Sequence, residues 1–364
     1  MKILYIDTEN FWRGGQEQLF SLICGMNEAG HEIMLASPCS APLSARVSQL
    51  GIRTIHFDQG MEVSPRAFRF LYSLMKNNEV DIVHFNTPLP VLPGGLAAKL
   101  LALTKGKRPV TVCSRRVNFP LKYRLSRWKY NHLTDRVLTV SESIRKTLLN
   151  NGIKPNLIET VYEGIDPAWN DAQEPSVLPF CEDYLVVGTV AHLSQEKGHV
   201  DLIKAVSLIR DKCPDARYVF VGEGLMRLEL EEQARNLGVS DIVYFTGFRK
   251  DSEALMKNFD IFCLPSLSEG LSSAIMSAMA CSLPVISTNV GGIPELVIHG
   301  KTGLLTEPSA PDQLAASLYR LLTSPEERIS FGREGRKIVE TRFTIKHKLE
   351  KTEYYYKLLL SLRD

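Results

Sequence analysis

The chain of 364 residues is long enough for two domains of common size, and its 44% hydrophobic and 23% charged residues exclude a disordered or membrane-embedded class. Its seven cysteines are odd in number and include no C-x-x-C pair, which argues against a disulfide framework or a zinc ribbon and predicts a reducing cytosol. Net charge is +2, yet residues 1–170 hold 21 Lys and Arg against 14 Asp and Glu while the remainder holds 22 against 27, so the two halves are expected to meet different partners.

In chain order, the opening Met1-Lys-Ile-Leu-Tyr-Ile-Asp7 reads as a strand running into a turn and offers no secretory apolar segment. Apolar strand candidates follow at 32–36, 54–57, 81–85, 110–113, 136–140 and 158–162, separated by helix-length segments such as 16–28 and 65–77. Strands spaced regularly by helices predict a parallel sheet covered on both faces. The most apolar stretch, 89–103, is broken by prolines, a Gly-Gly pair and Lys99, whereas a spanning helix needs about 20 apolar residues, so none is expected. A second strand series begins at 184–190 and continues at 218–221, 243–246, 261–264 and 285–287. The Pro-rich and weakly periodic 164–179 lies between the two series and is read as the hinge. The tail from Ser324 reads as helical throughout. The predicted fold class is α/β, with two doubly wound Rossmann-like domains facing each other across a cleft.

Several turns carry chemistry. Gly14-Gly15, between the first strand and the first helix, lets backbone approach a ligand closely, and a helix start favours an anion. It is not the G-x-G-x-x-G fingerprint, which argues against a dinucleotide enzyme, and alone it is more often plain turn chemistry. His84 and Asn86 end a strand at its carboxyl edge, where open α/β sheets bind ligands; a buried structural role is expected for His84, and Asn86 is the better ligand candidate.

The run from Arg115-Arg116 to Tyr130 interleaves basic and aromatic residues. A solvated helix face is the usual meaning of such a run, and no nucleic-acid module surrounds it, so no nucleic-acid partner is expected. An interfacial segment meeting anionic lipid is the alternative. In the second half, Val187–Gly198 is a strand and turn ending in Lys197, a compact cation suited to phosphate, with His192 five residues earlier.

The richest stretch runs Pro265-Ser-Leu-Ser-Glu269-Gly270-Leu271-Ser272-Ser273 into an apolar helix, then to Gly291-Gly-Ile-Pro-Glu295. It places a carboxylate for sugar hydroxyls beside two helix starts whose free N–H groups suit a diphosphate. This string closely resembles the donor-site signature of retaining glycosyltransferases of family 4, which have the GT-B fold, and the resemblance covers nearly the whole chain. The family pattern is Glu, seven residues, Glu; here Glu269 stands at the first position and Ser277 at the second.

The resemblance implies an N-terminal acceptor-binding domain over 1–170, a nucleotide-sugar donor domain over 171–342, and a C-terminal helix, 343–364, packing back on the first. It implies Glu269 and Lys197 as the catalytic pair. Donor contacts would come from Gly14, Gly15, His192, Gly222, Phe248, Gly270, Leu271, Ser272, Ser273 and Ser277, with the second Glu of the pattern, here Ser277, facing the ribose. His192 stands where the family usually has Arg. On the acceptor side it leaves Asn86, Arg115 and Arg116.

No Asp-x-Asp motif and no His/Cys cluster occurs, and GT-B enzymes generally use no metal, so neither a metal nor another cofactor is expected. The implied activity is transfer of a sugar from a nucleotide donor to a hydroxyl of an envelope glycan or lipid-linked acceptor. The site would lie in the cytoplasm, at the inner face of the cytoplasmic membrane. A non-catalytic GT-B relative and a nucleotide-sugar epimerase are the alternatives.

Overall fold

The computed structural model of the protein describes residues 1–58, 64–106, 108–178 and 184–363; Pro179, the far end of the expected hinge, and Cys181 lie outside them. The chain forms two compact units, one of Met1–Glu163 with Ile345–Asp364 and one of Gly164–Thr344.

In the first unit β1 (Lys2–Ile6), β2 (Glu32–Pro38), β3 (Arg53–Phe57), β4 (Ile82–Phe85), β5 (Val110–Arg115), β6 (Arg136–Thr139) and β7 (Ile158–Thr160) form one sheet of order β3-β2-β1-β4-β5-β6-β7. Every pairing in it is parallel. Parallel strands need crossovers, and helices on both faces leave the strands no wet side, so Ile3, Leu4, Tyr5 and Ile6 are all fully buried in succession. The order reverses between β1 and β4, which opens a crevice at their carboxyl ends.

The helix Ile345–Ser361 belongs to this unit: it packs on the helix Gly14–Glu28 and lends Tyr356 and Leu359 to the core around Tyr5, Leu22, Ile23 and Leu138. The tail is two helices, Pro325–Arg342 and Ile345–Ser361, the second starting two residues after the 343 implied for it. Pro325–Arg342 stops at Phe343, which is buried and whose carbonyl accepts from the Ile165 N–H at 3.0 Å.

In the second unit β8 (Leu185–Val190), β9 (Ala216–Val221), β10 (Val243–Gly247), β11 (Ile261–Leu264), β12 (Val285–Thr288) and β13 (Gly303–Thr306) form a parallel sheet of order β10-β9-β8-β11-β12-β13. Strand β13 was not expected. Gly-Leu-Leu-Thr carries only two apolar residues between turn signals, and its strand state comes from pairing with β12. The reversal here falls between β8 and β11. Among the described residues no helix is long and apolar enough to cross a membrane.

Lys348, on the last helix, is fully buried and donates to the side-chain oxygen of Gln18 at 2.8 Å. Burial pushes its pKa down to about 7, with Arg116 adding to the shift and Glu163 opposing it. The folded value lies below the ordinary one near 10.5, so the unfolded chain binds the extra proton between pH 7 and 10. The burial penalty is therefore full below pH 7 and relieved as pH rises through that window. Melting the parent and Lys348→Met at pH 7 and pH 9 should show the parent gaining on the variant by roughly 2 kcal/mol, given about 1.4 kcal/mol per unit. Parallel pH responses would mean that Lys348 is solvated.

Candidate functional site

The loops that follow β8, β11 and β12 meet at the carboxyl ends of the second sheet, where its order reverses. Lys197 ends the short turn Gln195–Lys197, and Glu269 lies in the loop after β11. The Lys197 ammonium donates to Glu269 Oε2 at 2.5 Å, and both side chains keep some exposure. Ser266 Oγ donates to the same oxygen at 3.3 Å, and the Leu267 N–H donates to the Glu196 carbonyl at 2.7 Å, tying the two loops together.

Glycines make this fit. Gly198 has φ +68°, and a Cβ on it would lie 1.9 Å from the Pro265 carbonyl oxygen. Gly291 has φ +55°, and its Cβ would lie 1.7 Å from the Glu269 carbonyl oxygen, to which the Gly292 N–H donates at 3.3 Å. Three loops thus touch backbone to backbone with no room for any side chain, which fixes where the Glu269 carboxylate stands.

After the buried Gly270 and Leu271, the helix starts at Ser273, two residues later than expected, with Ser272 as its cap: Ser272 Oγ accepts from the Ile275 N–H at 3.3 Å. Ser273 is half-buried at its first position. Ser277 is nearly buried, and its carbonyl accepts from Asn170 Nδ2 at 3.3 Å. His192 is exposed beyond the end of β8. Gly222 follows β9, and its N–H donates to the Gly247 carbonyl at 2.9 Å; Phe248, just after β10, is exposed. An open cavity of about 740 Å³ beside the free edge of β10 holds none of these residues.

His199 was missed by sequence reasoning. It opens the helix behind Lys197 and is buried against the Phe220 ring at 5.6 Å; burial lowers its pKa to about 4 and keeps it neutral. Its signal was only proximity to Lys197.

The other expected residues lie in the first unit, at the crevice between β1 and β4. Asn86 Nδ2 donates to Asp7 Oδ1 at 2.5 Å, and Gln16 Nε2 donates to the same oxygen at 3.4 Å. Arg116 donates to Asn86 Oδ1 at 2.6 Å and to Glu163 Oε1 at 2.6 Å. A Cβ on Gly15 would touch the Arg116 side chain at 3.4 Å, and Gly14, beside it, is exposed. Burial raises the Asp7 pKa, against the pull of Asn86 and Arg116.

Asp7 and Glu163 carry this cluster and were not picked out, because a single acid at a strand end has no motif around it. Arg115 stands apart: it is buried and donates to the Phe119 carbonyl at 2.7 Å, so it holds a loop. His84 is buried between the Ser114 hydroxyl, at 2.7 Å, and the Tyr356 hydroxyl, and burial drives its pKa down to about 3. Among the described residues no group of three or more His, Cys, Asp or Glu is gathered to hold a metal ion.

Residues 12–169 match the family described as Glycosyltransferase Family 4, and residues 170–338 match Glycosyl transferases group 1. The EpsD protein of Bacillus subtilis is 29% identical over 290 residues, 74% of each chain. The 2-deoxystreptamine glucosyltransferase of Streptomyces kanamyceticus is 28% identical over 291 residues, 73% of each. The crystal structure of Anabaena HepE in complex with UDP and glucose superposes with a TM-score of 0.83 at 21% identity, covering 98% of this chain and 99% of that one. The two family matches together run from residue 12 to residue 338, and the two parallel sheets are those of this fold: the chain belongs to the group 1 glycosyltransferases of family 4, with the GT-B fold.

Proposed function

We propose that the protein transfers a hexose or related sugar from a nucleotide-sugar donor to a hydroxyl, with retention at the anomeric carbon and without a metal ion. The observation that carries this reading is the Lys197–Glu269 pair at the reversal point of the second sheet. A donor would exchange that contact for two others: the ammonium for a diphosphate oxygen, the carboxylate for sugar hydroxyls. As the bond from the anomeric carbon to the phosphate oxygen breaks, charge builds on the departing diphosphate. A fixed cation and the N–H groups at a helix start, here after Ser272, stabilise such charge without reorganising. The acceptor oxygen bonds the same face of the sugar, and its proton goes to the leaving phosphate.

Support for the donor comes from HepE, solved with UDP and glucose. The acceptor is read as an envelope glycan or a lipid-linked saccharide at the inner face of the cytoplasmic membrane, with peripheral contact to anionic lipid. Asn86 and Arg116 are its polar contacts on the first unit. A non-catalytic relative is the second reading, and it is favoured by Ser277 and His192 standing where the family has Glu and Arg.

Melting the protein with UDP-, GDP- and ADP-sugars tests both. A bound donor at about 100 times its Kd should stabilise by roughly 2.7 kcal/mol. Donor hydrolysis then separates an enzyme from a binder, and a changed sugar without any acceptor would mark an epimerase. No shift with any of the three overturns the donor site.

A further inference from the structure

We propose that the first unit carries a docking surface for an anionic lipid bilayer, formed by the helix Arg124–Leu133, the loop before it and the adjacent helix Val91–Lys105. It rests on the membrane contact proposed above and names the face that makes it, but needs no part of the transfer chemistry. Charge is the first observation. Between Asp81 and Asp135 the sequence has no acidic residue against ten lysines and arginines. Arg108 and Arg116 pair with Asp135 and Glu163 and Arg115 is buried, and the exposed cations on this face include Lys99, Lys122, Arg124 and Arg127. A surface helix of an ordinary domain mixes both signs; one sign alone builds a field that draws a polyanion.

The second observation is apolar surface that folding leaves unused. The helix Arg124–Leu133 buries Tyr130 and Leu133, and these settle it on the unit. Its other side also carries large apolar groups: Leu125 and Trp128, three apart and so on one face, are exposed, and the Trp128 ring stacks on His132 at 5.3 Å. Arg124 and Arg127 flank them and are exposed as well. In the preceding loop Phe119 and Tyr123 stand out, Tyr123 with 71% of its surface exposed.

The helix Val91–Lys105 repeats the arrangement. It buries Ala97, Ala98 and Leu101 and exposes Leu96, Lys99 and Leu103, the last at 85%. The two helices pack on each other, with Gly95 close against Leu133, and Lys129 donates to the Pro88 carbonyl at 2.6 Å. Apolar side chains ringed by cations are what a headgroup layer accepts: rings and leucines enter the acyl boundary while ammonium and guanidinium groups stay at the phosphates. A nucleic acid would use the cations and leave the leucines and Trp128 wet, so lipid is the better match.

The test is sedimentation of the full chain with vesicles of phosphatidylcholine, with and without phosphatidylglycerol. The parent should bind only the anionic vesicles, and less with added salt. Neutralising Lys122, Arg124 and Arg127 together should weaken that binding roughly 100-fold, since each charge at a membrane surface counts for about fivefold. Lys129 is left in place because it holds Pro88. Leu125→Ser with Trp128→Ser should also weaken binding, although no charge changes. Removing Lys204, Lys250 and Lys301, on the second unit, should change nothing.

Equal binding by the parent and the triple variant overturns the proposal. Binding that survives loss of Leu125 and Trp128 and is competed away by duplex DNA overturns it in favour of a nucleic acid. Melting with nucleotide sugars keeps the two readings apart. A chain that binds a donor but ignores anionic vesicles sinks the surface alone, and one that binds vesicles but no donor sinks the transfer reading alone.

Discussion

Lys197→Ala should lower turnover by about 100-fold or more while leaving the fold intact. Lys197 ends a short turn whose next residue, Gly198, packs backbone to backbone on Pro265, and Glu269 holds its ammonium, so the charge is in place before a ligand arrives. Removing one preorganised charge from a developing oxyanion costs on that order in turnover. The stability cost should be small. The pair with Glu269 is only partly buried, and pairs with water access are worth about 1 kcal/mol or less. Steady-state transfer, or donor hydrolysis where no acceptor is in hand, read beside a melting curve, separates the two effects. A variant with normal turnover removes Lys197 from the site, and one that melts far below the parent makes it a structural cation.

The site and the sheets were legible to different degrees, for physical reasons. Strands buried on both faces need unbroken apolar runs, and Ile3–Ile6 and Ile261–Leu264 stand out for that reason. Strand β13 escaped because pairing with β12, and not its own composition, makes it a strand. The break at Phe343 came only with the family resemblance, which starts the last helix there; an aromatic is compatible with a helix, and the contact at the break, Ile165, is far away in sequence. Around the site, Glu269, Gly270 and the Gly291-Gly292 turn could be read because three loops in backbone contact demand glycines at fixed spacings. Asp7, Glu163 and Lys348 could not be read. Each is an isolated charge, and only the fold gathers them within one crevice and the core beneath it. Arg115 and Arg116 show the limit at its sharpest: they are adjacent in sequence, yet one faces Phe119 and the other Asn86.

Ser277→Glu is expected to tighten nucleoside-diphosphate binding by roughly 10- to 100-fold. The family resemblance gives the second acidic position of the pattern to the ribose, and Ser277 is too short and uncharged to hold both hydroxyls. Hydrogen bonds to a charged group are worth about 1.5–3 kcal/mol, and each 1.4 kcal/mol is tenfold in affinity. The structure adds a constraint. Ser277 is only 7% exposed and its helix is pinned by Asn170, so a longer side chain has to run out of the helix toward the ligand or stay buried without a partner. A buried, unpaired carboxylate would cost several kcal/mol and appear as a fall in melting temperature. Ser277→Gln has nearly the same shape without the charge. It should fold as well as the Glu variant and gain less affinity, since its hydrogen bonds are neutral ones. Calorimetry with UDP on the parent and both variants, beside melting curves, reads all of this. Glu above Gln above Ser in affinity, with melting temperatures together, means that the pocket still takes an ordinary ribonucleotide. Unchanged or weaker binding by a well-folded Ser277→Glu means that the pocket has been rebuilt around a different ligand, and the donor reading falls with it.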